Sequence, residues 1–138
     1  MPEKNPPKPK ILYIEDELVL VKLFELALTQ AGYQFLSCDN IKEGISLTTE
    51  ASPDLVLLDI IIPKPENTLA EQGYDYLTKV KRQKETRDIP VVVFTNLDTP
   101  QDRARCRDLG AAAYILKRDT LPREVIEVIR MVISKKRV

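Results

Sequence analysis

Four places in this 138-residue chain carry side chains able to handle phosphate and a hard metal ion. They are the acidic run Glu15-Asp16-Glu17, then Asp59, Thr95 and Lys117. Each stands at the end of a short apolar run: Ile11-Leu12-Tyr13-Ile14, Leu55-Val56-Leu57-Leu58, Pro90-Val91-Val92-Val93-Phe94 and Ala113-Tyr114-Ile115-Leu116. Carboxylates gathered in one place repel one another unless a cation sits between them. Oxygen ligands without histidine or cysteine suit Mg²⁺, or Mn²⁺. A lysine and a hydroxyl opposite the ion would complete a clamp on a phosphoryl group. A carboxylate can also accept that group as an acyl phosphate.

Taken singly, each position has a plain reading. Glu15 to Glu17 could favour the N-terminus of a helix. Asp59 could open a turn, Thr95 could be an ordinary strand residue, and Lys117 a surface lysine. Their joint placement is what points to chemistry, and that placement depends on the elements between them.

The apolar runs read as buried strands; Leu55 to Leu58 is apolar throughout, so both its faces should be covered. Gln34 to Cys38 is a further strand. Between strands, Leu18, Val21, Leu23, Phe24, Leu26, Ala27, Leu28 and Ala31 recur at helical spacing, and Gly32 stands where a helix C′ residue is wanted. Asp39 or Asn40 can cap a helix from Ile41 to about Glu50. A long loop is expected from Asp59 to about Asn67, stiffened by Pro63 and Pro65, then a helix to about Gln83. Thr99-Pro100 opens a helix ending near Leu109-Gly110. Asp119 or Thr120 caps a last helix with Leu121, Val125, Ile126, Ile129, Val132 and Ile133 on its apolar stripe. Five β–α units imply a doubly wound α/β fold with a parallel sheet. Such folds bind ligands outside the C-terminal ends of their strands, which is where the four chemical positions fall.

Composition limits the function classes. The length fits one domain, read as a flexible proline-rich leader at residues 1–9 and a folded unit at 10–138. Lys and Arg balance Asp and Glu to a net charge of zero, so nothing global steers the chain to nucleic acid or an anionic membrane. There is no histidine, which removes histidine-based acid–base chemistry and histidine metal ligands. The two cysteines, Cys38 and Cys106, are far apart and suit a reducing cytoplasm. No apolar run approaches the ~18 residues of a membrane span.

The ordered set Ile11 to Glu17, Asp54 to Asp59 with Pro63, Ile89 to Thr95 and Gly110 to Lys117 resembles the receiver domain of two-component response regulators. The resemblance covers about residues 10–136. It implies a flavodoxin-like, CheY-like (βα)₅ sheet in the order 2-1-3-4-5. It also implies that Asp59 is the phosphoacceptor, that Asp16 binds Mg²⁺ directly, that Glu15 binds it through water, and that the Ile61 carbonyl is a third protein ligand. Thr95 and Lys117 would hold phosphoryl oxygens, and Tyr114 would be the switch aromatic. The implied partners are a histidine kinase or histidine phosphotransfer protein and a downstream protein. A homodimer could form through the fourth-helix, fifth-strand, fifth-helix face, around Asp102 to Leu109, Tyr114 and Arg123 to Arg130. The chain would assist only its own phosphorylation and dephosphorylation, and no direct nucleic-acid or membrane contact is expected.

The sequence departs from the family pattern at several points. Arg118 follows Lys117 where a proline after a cis peptide is usual. A cis bond before a non-proline residue costs about 2.5–4 kcal/mol, so a trans bond is expected, or a strained cis bond held by packing, with a different partner for Arg118 and a shifted helix start. The family glycine that opens the third helix corresponds to Gly73, with roughly Lys64 to Gln72 as extra loop. Ile61 and Leu97, which would flank the hydrolytic water, are apolar, so slow hydrolysis of the aspartyl phosphate is expected. Two other readings compete: a receiver-like module used only for binding, and a phosphatase with an aspartyl nucleophile. The phosphatase reading wants a second acid two residues after the nucleophile, where this chain has Ile61.

Overall fold

The computed structural model describes residues 7–62 and 72–137. Pro63, Pro65 and all but the last residue of the extra loop segment lie outside them. Ten regular elements alternate along the chain: β1 (Lys10–Ile14), α1 (Leu18–Gln30), β2 (Gln34–Cys38), α2 (Ile41–Ala51), β3 (Leu55–Leu58), α3 (Gln72–Arg82), β4 (Val91–Thr95), α4 (Pro100–Asp108), β5 (Ala113–Leu116) and α5 (Pro122–Arg137). A single 3₁₀ turn, Lys117–Asp119, follows β5. The strands form one parallel sheet in the order β2-β1-β3-β4-β5, the order that the family resemblance implies.

Successive side chains of a strand point to opposite faces, and both faces here are covered. Leu12, Ile14, Val56, Leu58, Val91 and Val93 pack with Tyr74, Leu77 and Val80 of α3 and Cys106 of α4. Ile11, Tyr13, Leu55, Leu57, Val92 and Phe94 pack with Phe24 and Leu28 of α1 and Val125, Ile129 and Ile133 of α5. Every residue of β3 is buried, so its run is apolar without alternation. Burying each such side chain favours folding by roughly 1.5–3 kcal/mol before chain entropy is counted. Tyr13, Phe24 and Phe94 stack edge to face, with Phe24 5.5 Å from Tyr13 and 5.3 Å from Phe94.

Local signals set the helix ends. Gly32 takes φ +97°, and the Gly32 and Tyr33 amides close α1 on the Thr29 and Leu28 carbonyls, the bonding of a Schellman motif. Asn40, rather than Asp39, caps α2, its Oδ1 accepting from Glu43 N at 2.8 Å. Thr99 caps α4, with Pro100 in its first turn.

Two expectations need correction. Neither Asp119 nor Thr120 caps the last helix. The 3₁₀ turn delays it, and Glu124 Oε1 reaches back to Leu121 N at 2.7 Å, the reciprocal half of a capping box. Leu121 therefore precedes α5 and is exposed. On α1, only the stripe through Phe24 and Leu28 is buried; Leu18, Leu23 and Leu26 face outward, because a helix lying on a sheet buries one narrow face. In the leader, the Lys8 and Pro9 carbonyls accept from Gln34 Nε2 and N at 3.0 and 2.8 Å, which ties those residues to β2.

Candidate functional site

The C-terminal ends of β1, β3, β4 and β5 bring Glu15, Asp16, Asp59, Thr95 and Lys117 to one edge of the sheet. Strand pairing fixes the first half of this set. Asp59 N donates to the Ile14 carbonyl at 3.2 Å, and Glu15 N to the Cys38 carbonyl at 3.0 Å, so the ladders of β1 and β3 run right up to the acids. Carboxylate oxygens of Glu15, Asp16 and Asp59 lie within 4.8 Å of one another. Glu15 and Asp59 are buried and Asp16 is exposed.

Lys117 Nζ enters this acidic edge. It donates to Asp59 Oδ2 at 2.7 Å and makes a short bond to Glu15 Oε1. Its side chain is only 10% exposed. Burial pulls the ammonium down, but Asp59 and Glu15 outweigh it and the pKa stands above the ordinary lysine value. Burial pushes the Glu15 carboxyl up; Lys117 opposes that shift and Asp59 adds to it. The Tyr13 hydroxyl donates to Glu15 Oε1 at 3.0 Å, and Glu17 N donates to Oε2 at 3.1 Å. Asp59 Oδ1 accepts from Ile61 N at 3.1 Å. Thr95 is fully buried. Its Oγ1 accepts a long bond of 3.4 Å from Leu97 N and, among the described residues, donates to nothing. A buried hydroxyl with an idle donor invites an incoming acceptor.

The donor set fits Mg²⁺. The three closely spaced groups are all carboxylates, and exposed Asp16 leaves room for retained water. Cys38, on the neighbouring strand end, is no competing soft ligand: burial pushes its thiol up to about 12 and its Sγ is bonded to the Asn40 carbonyl.

Two expected features lie just outside this set. The Tyr114 hydroxyl donates to the Leu97 carbonyl at 2.6 Å, with the Arg103 guanidinium 4.8 Å from its ring centre. Gly73 N donates to the Ile60 carbonyl at 2.8 Å. A Cβ there would sit 2.4 Å from Ile60 Cα and 2.7 Å from the Asp59 carbonyl oxygen. Only glycine lets α3 lie directly on the segment that carries Asp59. The Lys117–Arg118 bond is trans, as are all the described peptide bonds, and Arg118 does find new partners, Asn96 and Asp98.

The sequence reading omits Tyr13, Asn96 and Asp98. Tyr13 was legible in principle, since it stands two residues before Glu15 on one face of a strand. Asn96 and Asp98 carry no such signal.

Residues 11–130 match the profile of the response regulator receiver domain. The chain belongs to that family. This receiver domain is 32% identical over 126 residues to the phosphate regulon transcriptional regulatory protein PhoB of Escherichia coli, covering 91% of the chain and 52% of the relative. It is 32% identical over 109 residues to the DNA-binding dual master transcriptional regulator RpaA of Synechocystis, covering 79% and 43%. The receiver domain thus spans about half the length of these curated relatives. Among solved structures, the fold is shared with a CheY-like response regulator receiver domain protein from Methanospirillum hungatei (TM-score 0.84, 21% identity, 95% and 98% of the two chains). The signal receiver domain of a histidine kinase from Syntrophus aciditrophicus is similar at 27% identity and TM-score 0.78, covering 92% and 91%. Among the described residues, no helix is long and apolar enough to cross a membrane.

Proposed function

We propose that this receiver domain accepts a phosphoryl group on Asp59 from a histidine kinase or histidine phosphotransfer protein and answers with a changed protein-binding surface. The observation that carries the reading is the meeting of Lys117 with both Glu15 and Asp59 inside a cluster of three carboxylates. In the transfer, an Asp59 oxygen attacks the phosphorus of a phosphohistidine. The new O–P bond forms as the N–P bond breaks, and the imidazole leaves with the electron pair. Asp16, Asp59 and the Ile61 carbonyl would hold Mg²⁺ or Mn²⁺, with Glu15 acting through water, and the ion would neutralise phosphoryl charge. Lys117 would bind one phosphoryl oxygen as the acyl phosphate forms. The idle Thr95 hydroxyl would donate to another. A shift of Thr95 toward the phosphoryl group would move the adjoining loop that carries Leu97, and Tyr114, bonded to the Leu97 carbonyl, would respond as the switch aromatic.

The chain serves as acceptor and switch, and it does not turn over other substrates. The downstream partner would read the α4–β5–α5 face. A homodimer could use the same face, where Arg103 and Arg107 of α4 and Glu124 and Glu127 of α5 are all exposed; a two-fold interface needs self-complementary patterns, and both charge signs are available here. Neither Ile61 nor Leu97 can orient a water by hydrogen bonding, so the aspartyl phosphate should persist longer than in receivers with polar residues there.

Incubation with acetyl phosphate and Mg²⁺, followed by intact-mass measurement, tests the reading. One phosphoryl adduct is expected, lost on omitting Mg²⁺ and absent from Asp59→Ala. No adduct on the wild type, or an undiminished adduct on Asp59→Ala, would overturn it.

A further inference from the structure

Thr95 and Lys117 come from different strands, yet the residues that follow them are bonded to each other. Arg118 N donates to Asn96 Oδ1 at 3.0 Å, and Arg118 Nη1 donates to the Asn96 carbonyl at 3.1 Å. Arg118 Nη2 donates to Asp98 Oδ2 at 2.8 Å. Arg103 Nη2 approaches the other Asp98 oxygen at 3.4 Å. A proline at position 118 could make none of the three Arg118 bonds, having neither the N–H nor the guanidinium.

These bonds act on the short segment between two fixed points. Thr95 is held in the sheet, paired with Leu116. The start of α4 is held by Thr99 and Asp102: the Asp102 carboxylate accepts from Thr99 Oγ1 at 2.7 Å and from the Tyr74 hydroxyl of α3 at 2.5 Å. Between them lie Asn96, Leu97 and Asp98. Arg118 binds the first and third, and Tyr114 binds the carbonyl of the second.

We propose that Arg118 is a positioning residue that, through Asn96 and Asp98, pre-organises Thr95 and Lys117 as the two arms of a single phosphoryl clamp. The proposal rests on the phosphoacceptor reading of Asp59. A phosphoryl group that must order two independent arms pays for that ordering in affinity, and a preformed bracket removes the cost. A guanidinium suits the task because its planar fork meets a carbonyl and a carboxylate together. Arg118 touches neither the acids nor the phosphoryl site itself. It therefore separates positioning from metal binding.

Calorimetric titration of the full chain with beryllofluoride at saturating Mg²⁺ tests this, with Mg²⁺ alone titrated in parallel. Arg118→Ala and Asn96→Ala should each weaken beryllofluoride binding by about three- to tenfold. The double variant should be little worse than the weaker-binding single, because the two residues act as one bracket. Arg118→Lys, which keeps a side-chain cation able to reach the Asn96 carbonyl or Asp98, should recover part of the loss. Affinity for Mg²⁺ alone should be unchanged in all of them. Wild-type affinity for beryllofluoride in both single variants, or an equal loss of Mg²⁺ affinity, would overturn the bracket while leaving Asp59 as acceptor. Should Arg118→Ala fail to fold, Asn96→Ala and Arg118→Lys decide the question by the same criteria. A wild-type chain that does not bind beryllofluoride at all would remove the acceptor reading, and the bracket with it.

Discussion

The two halves of the site are built differently. On the β1–β3 side, Glu15 and Asp59 are buried, tied into the strand ladders through their own amides, and joined by a lysine whose side chain is nine-tenths buried. On the β4–β5 side, the bonds of Arg118 and Asp98 lie in loops, with side chains 50% and 39% exposed. Buried charge pairs are costly to break, because the survivor stays uncompensated. Exposed pairs contribute little and are screened by salt. The acid side is therefore the more firmly held. The loop side is held by bonds weak enough to rearrange, as a switch requires.

Breaking the acid side should give the largest effect. Lys117→Met leaves Glu15 and Asp59 facing each other in a buried edge. It should cost about 3–5 kcal/mol in urea unfolding at neutral pH, and Mg²⁺ should restore part of the loss by binding only the folded chain. No destabilisation would mean that the acids are far better solvated than their burial implies.

Gly73→Ala comes next. Its Cβ would meet backbone that cannot swing aside, and the cost should be about 1–3 kcal/mol with weakened Mg²⁺ binding as the Asp59–Ile60 segment shifts. Unchanged stability and Mg²⁺ affinity would show that α3 can move away without disturbing the acids.

Tyr13→Phe removes one donor to Glu15 and leaves Lys117 and Glu17 N in place. A loss of about 1.5 kcal/mol is expected, read from the denaturation midpoint.

Alkaline titration probes the core behind both halves. Burial pushes the Cys38 thiol from 9.0 to about 12 and Cys106 to about 11. Above pH 9 the unfolded chain releases these protons and the folded chain keeps them, so stability must fall as pH rises from 9 toward 12. Cys38→Ala should flatten that slope; an identical slope would assign it to other groups.

The smallest stability change is predicted for the loop side. Arg118→Ala should shift the unfolding free energy by less than about 1 kcal/mol, and raised salt should shrink even that. Amide hydrogen exchange at residues 96–98 should nevertheless quicken. A large global destabilisation would erase the contrast between the two halves.

Much of this was written in the linear pattern. The four apolar runs, the Gly32 stop, the Thr99 cap and Pro100 are local signals that act within a few residues, and each set its element. The acids, the threonine and the lysine were legible because each stands at a strand end, and parallel strands bring their C-terminal ends together. The start of α5 was misread because Asp119 and Thr120 are good caps by type. The turn after Lys117 carries the chain past them to Leu121, where Glu124 does the capping. The exposed Leu18, Leu23 and Leu26 of α1 were counted with the apolar pattern because periodicity shows a stripe but not its buried width.

What the sequence determined by itself was therefore the fold class and the gathering of the acids, the threonine and the lysine at one edge of the sheet. Only the tertiary structure decided which groups bond. Tyr13 meets Glu15, Lys117 meets two acids at once, and Arg118 meets Asn96 and Asp98 some 20 residues earlier in the chain. Local propensity acts over a turn or a strand. Long-range polar contacts depend on register and on where loops come to rest, and those are fixed only when the sheet and its two helical layers close together.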